Sequence, residues 1–182
     1  MRQLLALQPA AAAAAGEAAQ SRVDVEHLQL PLVDAFYLAF VTRQIVISDA
    51  AADAAAAWRL FCARCARFPL LFVAYARYRA AGWLPKSGLK YGVHWVLYPT
   101  KRYAHTHAPY CVVFHFSNRP NDARLDSSWI ALQNRLRLVN NVAKTLVIAR
   151  LHVAEPLDLA ASISRTFDAV RLTELTIDRW LP

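Results

Sequence analysis

The chain has 182 residues, enough for one sizeable domain or two small ones that share an interface. Apolar residues make up 57% of it, much of that alanine, which supports a packed core and argues against a chain too polar to fold. The formal charge of +8 suits a polyanionic partner, nucleic acid or an anionic membrane surface, and the preference for arginine over lysine tilts this toward RNA.

Residues 1–20 read as a low-complexity, alanine-rich tail, expected to be disordered, with only a faint likeness to a targeting peptide. No apolar run approaches the ~20 residues of a membrane span. Leu28–Ser48 carries the first core segment, with a helix followed by a strand as the reading of its mixed periods. Asp49 is a candidate N-cap for the alanine-rich stretch that follows. Trp58–Arg79 has the spacing of a helix, with Trp58, Phe61, Cys65, Phe68 and Phe72 on one stripe and Pro69 expected to kink or divide it. Cys62 and Cys65 would then share a helical face as core thiols, since no second cysteine pair completes a zinc site. Gly82 and Pro85 stop the helix, and a domain boundary is placed near Lys86.

Beyond it the pattern changes to aromatic and β-branched residues. Leu89–Leu97 and Tyr110–Phe116 read as the two strands of a hairpin, joined by a polar tip at Pro99–His107. Asn118–Asp126 is a loop, and Ser127 or Ser128 caps a helix from Trp129 to about Ala143, with Trp129, Leu132, Leu136, Val139 and Ala143 as its apolar stripe. Thr145–Val153 reads as a buried strand, Leu157–Phe167 as a short helix and Val170–Trp180 as a closing strand.

Two clusters could carry chemistry. The hairpin tip presents Tyr98, Lys101, Arg102, Tyr103, His105 and His107. A His-x-His pair invites zinc, but neighbouring cations and the lack of a nearby carboxylate or thiolate favour phosphate chemistry, so no metal and no cofactor are expected. The second cluster is Arg137, Asn140, Asn141 and Lys144, which would share one face of a helix if it ran that far, a strip suited to a phosphate backbone. Taken alone, the tip reads as an ordinary polar loop, and the strip is equally well a solvated helix face.

Four blocks change that weighing. Gly82-Trp-Leu-Pro-Lys-Ser-Gly-Leu-Lys-Tyr-Gly92, Trp95-Val-Leu-Tyr-Pro99, His107-Ala-Pro-Tyr-Cys-Val-Val113 and Arg137-Leu-Val-Asn-Asn-Val-Ala-Lys-Thr-Leu-Val-Ile148 together resemble, in order and spacing, the tRNA-intron endonuclease family. Leu30–Phe40 and Trp58–Gly82 resemble its N-terminal domain, and Leu172–Trp180 its closing strand. The resemblance implies an α/β (α+β) chain: a small mixed helical N-terminal domain over 21–85, then a restriction-endonuclease-like mixed β-sheet flanked by helices over 86–182. The first block most resembles the catalytic subunit assigned to the 5′ splice site.

By that resemblance, Tyr98, His107 and Lys144 are the catalytic trio of a metal-independent tRNA-intron lyase. Arg137 would stack on an intron base, with Arg102 and Asn141 as further RNA contacts. The substrate would be precursor tRNA with a bulge–helix–bulge junction. Partners would be a sister catalytic subunit and two structural subunits in a heterotetramer, with Trp180 in a strand used for subunit contacts. The expected location is the nucleus, with the cytoplasm as the alternative. A non-catalytic subunit of the same complex and an archaeal-type homodimer remain open readings. So does the role of Tyr98, as base or as a group that orients the 2′-OH.

Overall fold

The computed structural model describes residues 7–9, 29–47, 53–117, 128–153 and 158–177. In chain order these form β1 (Leu7–Pro9), α1 (Leu32–Phe36), a π-helical turn (Tyr37–Val41), β2 (Ile45–Ile47), α2 (Ala54–Arg64), α3 (Phe68–Ala80), β3 (Trp83–Ser87), a 3-10 turn (Leu89–Tyr91) and β4 (Trp95–Pro99). A second 3-10 turn (Thr100–Arg102), β5 (Tyr110–Ser117), α4 (Trp129–Asn141), β6 (Thr145–Val153), α5 (Ile163–Ala169) and β7 (Val170–Ile177) complete them. The expected loop Asn118–Asp126 and Trp180 lie outside the described residues, as does most of the tail. Within that tail Leu7–Pro9 pairs antiparallel with β2.

The N-terminal core is aromatic. Phe36 is 2% exposed and meets Phe40, Trp58, Phe61, Phe68 and Phe72 at centroid distances of 4.8–5.8 Å. Four of these five contacts come from α2 and α3, so the stripe read from the sequence does face one core. The single helix expected over Trp58–Arg79 is two. Cys65 has extended backbone and ends α2, and Pro69 opens α3, where its missing N–H costs nothing. Cys62 and Cys65 therefore do not share a helical face; both are half-buried and pack against that aromatic core. The cap of α2 is Asp53, whose carboxylate accepts from the Ala56 N–H at 2.6 Å; Asp49, the expected cap, lies outside the described residues.

The larger unit is a five-stranded mixed sheet in the order β3-β4-β5-β6-β7, antiparallel except for the β5–β6 pair. A parallel pair needs a crossover, and α4 supplies it. Alternation along β5 sends Val112 and Phe114 to the face covered by α3, and Cys111 and Val113 to the face of Leu132 and Val139 from α4. β6 divides the same way, with Val147, Ala149 and Leu151 on the first face and Leu146 and Ile148 on the second. Both faces of these central strands are covered, which explains their near-continuous apolar runs.

The boundary expected near Lys86 falls inside β3, which pairs with β4 from Trp83↔Pro99 to Ser87↔Trp95. The strand expected over Leu89–Leu97 begins only at Trp95. Its first half is a tight turn because Gly88 approaches the chain closely. A Cβ there would collide with the Val93 side chain and sit 2.9 Å from the Val93 carbonyl oxygen. Trp58 donates its indole N–H to the Leu159 carbonyl at 2.9 Å, and Arg77 donates to that of Val170 at 2.9 Å, which ties the two units together.

Candidate active site

Strand directions decide what meets. β4 runs antiparallel to β5, and β5 runs parallel to β6. The end of β4, the start of β5 and the start of β6 therefore share one end of the sheet. Tyr98 is the penultimate residue of β4, His107 lies three residues before β5, and Lys144 immediately precedes β6. Residues 46 positions apart along the chain are thus brought to one edge.

The local contacts are specific. Lys144 is half-buried, and its Nζ donates to the Ala108 carbonyl at 2.6 Å, next in sequence to His107. The Thr145 N–H donates to the Pro109 carbonyl at 2.9 Å, which pins the same segment to β6. The Lys144 ammonium also lies over the Tyr91 ring, 5.5 Å from its centroid. Tyr98 packs with Tyr91 against the core cluster that contains Ala108, Cys111 and Leu146. The buried Cys111 thiol is pushed up by burial, opposed by the Lys144 charge.

The hairpin tip is closed on itself. The Arg102 carbonyl accepts from the His105 N–H at 3.0 Å and from the Thr106 hydroxyl at 2.9 Å. Tyr103 sets its ring edge-on to Tyr98 at 5.1 Å, and Lys86 lies over Tyr103 at 6.0 Å. His105, His107, Lys101 and Arg102 are exposed. The described carboxylates, Asp34, Asp53, Asp158, Asp168 and Glu174, all sit on other elements, so this edge is a field of cations and phenols. Among the described residues no group of three or more His, Cys, Asp or Glu could hold a metal ion. An edge of this kind can bind a phosphodiester, donate protons to it and stabilise added negative charge.

The helical strip expected from Arg137 to Lys144 is broken. α4 ends at Asn141, and the chain reverses through Ala143 at φ 51°. The Ala143 N–H donates to Asn140 at 3.0 Å and the Lys144 N–H to Val139 at 3.2 Å, the double bond pattern of a helix closed by a left-handed residue. Lys144 consequently leaves the helix axis and turns toward the sheet end. Arg137, Asn140 and Asn141 remain exposed on the last turns of α4. The apolar stripe is narrower than expected: Leu132 and Val139 are buried, Leu136 is half-buried, Ala143 is exposed and Trp129 is 68% exposed. Sequence reasoning missed Tyr91 as a neighbour of Lys144; the signal available was an aromatic residue held between Gly88 and Gly92.

Residues 68–156 match the tRNA intron endonuclease, catalytic C-terminal domain. The chain is 30% identical over 163 residues to the tRNA-splicing endonuclease subunit Sen2 of Mus musculus, covering 86% of this chain and 35% of that protein. It is 29% identical over 163 residues to the tRNA-splicing endonuclease subunit Sen2-1 of Arabidopsis thaliana, covering 87% and 66%. For the subunit SEN2 of Saccharomyces cerevisiae the identity is 27% over 169 residues, covering 87% and 42%. The chain thus spans about a third of the length of its mouse and chicken relatives. With the mixed sheet, its flanking helices and the block order in agreement, the chain belongs to the tRNA intron endonuclease family.

Proposed function

We propose that this chain is a catalytic tRNA-splicing endonuclease subunit that cuts precursor tRNA at the 5′ splice site. The reading rests on one observation: Tyr98, His107 and Lys144 stand at one end of the sheet, with the Lys144 ammonium bonded to the carbonyl beside His107.

The reaction is an internal transesterification. Tyr98, acting as a phenolate, holds the ribose 2′-OH by accepting its hydrogen bond and takes up its proton as the 2′-oxygen bonds to the adjacent phosphorus. The bond from phosphorus to the 5′-oxygen breaks, and His107 supplies the proton that oxygen needs. Imidazole changes charge near neutral pH, which suits it to this donation. Lys144 stabilises the extra negative charge on the pentacoordinate phosphate. The products are a 2′,3′-cyclic phosphate and a 5′-OH, and the substrate itself provides the nucleophile.

Arg137, with Arg102 and Asn141, binds RNA around the cut, Arg137 by stacking its flat cation on an unpaired base. The subunit works with a sister catalytic chain and two structural chains, in the nucleus. The names of the mouse and yeast relatives, tRNA-splicing endonuclease subunits, support this reading.

The test is His107→Ala in the assembled enzyme on intron-containing precursor tRNA. Cleavage at the 5′ site is expected to be lost while RNA binding persists. Unchanged cleavage at that site would move the acid away from His107.

A further inference from the structure

The turn before β4 is fixed from several sides, and it carries the ring that faces Lys144. The Gly88 N–H donates to the His94 carbonyl at 3.0 Å, and the Gly88 carbonyl accepts from the N–H groups of Tyr91 at 2.9 Å and Val93 at 3.2 Å. No side chain fits at Gly88 without moving Val93. Gly92 takes φ 65°, a left-handed conformation that suits glycine, and a Cβ there would touch Leu138 of α4. Tyr91 is half-buried and packs against the core beside Tyr98 and Leu136. Its ring is therefore held by contacts that do not involve Lys144.

A lysine side chain is a flexible four-carbon stem with a strongly hydrated charge, and stopping it in one rotamer costs entropy. Here two groups restrain the ammonium. The Ala108 carbonyl accepts one of its hydrogens at 2.6 Å, and the Tyr91 ring stands 5.5 Å from the nitrogen. A cation over an aromatic face is attracted by the negative charge of the ring, more so where water is partly excluded. The third donor is then left to meet an incoming oxygen.

We propose that Tyr91 is a positioning residue: its ring face holds the Lys144 ammonium at the phosphodiester site. This rests on the reading of Lys144 as the group that stabilises charge on phosphorus. The ring face rather than the hydroxyl carries the effect, so Tyr91→Phe retains it and Tyr91→Leu loses it.

The experiment has two arms. In the assembled enzyme, single-turnover cleavage of precursor tRNA is measured for the parent, Tyr91→Phe, Tyr91→Leu and Lys144→Met, with RNA affinity measured separately. Tyr91→Leu is expected to slow cleavage roughly tenfold, the scale of one partly desolvated cation–ring contact, with affinity unchanged. Tyr91→Phe is expected to cleave at the parental rate. A series of increasingly fluorinated phenylalanines at position 91, which drains charge from the ring at nearly constant shape, should slow cleavage stepwise; it replaces Tyr91→Leu if that variant does not fold. In the second arm, NMR of the 182-residue chain reads the ε-methylene protons of Lys144. They should be shifted upfield by the ring current in the parent and in Tyr91→Phe, and return to ordinary positions in Tyr91→Leu.

Parental cleavage by Tyr91→Leu, or a flat fluorination series, beside a slow Lys144→Met overturns the role of Tyr91 and leaves that of Lys144 intact. Parental cleavage by Lys144→Met overturns the reading of Lys144 instead. An unshifted Lys144 signal in the parent overturns the proposed contact whatever the rates are.

Discussion

Replacing Lys144 by methionine keeps most of the apolar stem and removes the charge and the donors. One cost follows from the structure and a second from the role proposed for Lys144. The Ala108 carbonyl belongs to a residue only 2% exposed and loses its 2.6 Å partner. Leaving a buried acceptor unsatisfied costs about 1–3 kcal/mol. For a chain of this size each kcal/mol lowers the melting midpoint by about 2–4 °C, so a drop of about 2–12 °C is expected. The second cost falls on the reaction alone. Losing one preorganised donor at a developing anion slows chemistry by about 10²–10³. The assay is single-turnover cleavage of precursor tRNA at saturating enzyme, well below both melting midpoints, with RNA affinity measured by fluorescence anisotropy. Lys144→Met should bind RNA nearly as the parent does, melt earlier and cleave at least a hundred times more slowly, about the lower end of that range. A folded Lys144→Met that cleaves at the parental rate would refute the assignment of transition-state charge to this residue.

Ala143 holds a left-handed conformation that costs an alanine about 1–2 kcal/mol. Ala143→Gly should therefore stabilise the chain in urea titrations, by about 0.5–1 kcal/mol after the added flexibility of the unfolded glycine is counted; a loss of stability would contradict the strain argument. The His94 ring lies on Phe114 at 5.6 Å, and its Nδ1 accepts the Phe114 N–H at 3.0 Å. Burial first, then the charges of Arg135 and Arg67, hold His94 below the usual imidazole range. His152 is lowered in the same way, by burial and then by Arg150 and Arg171. The unfolded chain thus binds protons at these sites more readily than the folded one. Their contribution to stability is full above about pH 6.5 and is lost as the pH falls through the lowered folded values. Urea stability should decline from pH 7 toward pH 5, and His94→Gln, which keeps an acceptor for Phe114, should flatten that slope; an unchanged slope would exclude His94 as a source.

How far the chain could be read in advance depends on whether local pattern or distant contact decides. The long strands were legible, because β5 and β6 bury both faces and so show unbroken apolar runs. Ser128 was legible as a cap, since its hydroxyl accepts the Ala131 N–H at 3.3 Å. Periodicity carried across Cys65 hid the break between α2 and α3, because Phe61 and Phe68 still meet the same core from two separate helices. The aromatic and β-branched composition of Leu89–Leu97 suggested a strand throughout, but composition cannot register that Gly88 leaves no room for one. At the candidate site, the residue types and their family pattern pointed to Tyr98, His107 and Lys144. Their shared sheet end depends on the parallel β5–β6 pairing, which no local signal encodes. Nothing in Val142-Ala143 announces a left-handed alanine, so the sequence alone does not show that the helix stops before Lys144. The Tyr91 ring over Lys144 was out of reach for the same reason, being a contact across 53 positions of sequence.

The most direct measurement is end-group analysis of RNA cut by the assembled enzyme in excess EDTA. The expected result is sustained cleavage at the 5′ splice site, leaving a 2′,3′-cyclic phosphate on one fragment and a 5′-hydroxyl on the other. Cleavage that stops when divalent ions are chelated, or that leaves a 5′-phosphate and a 3′-hydroxyl, would contradict proton transfer by Tyr98 and His107 around a phosphate held by Lys144.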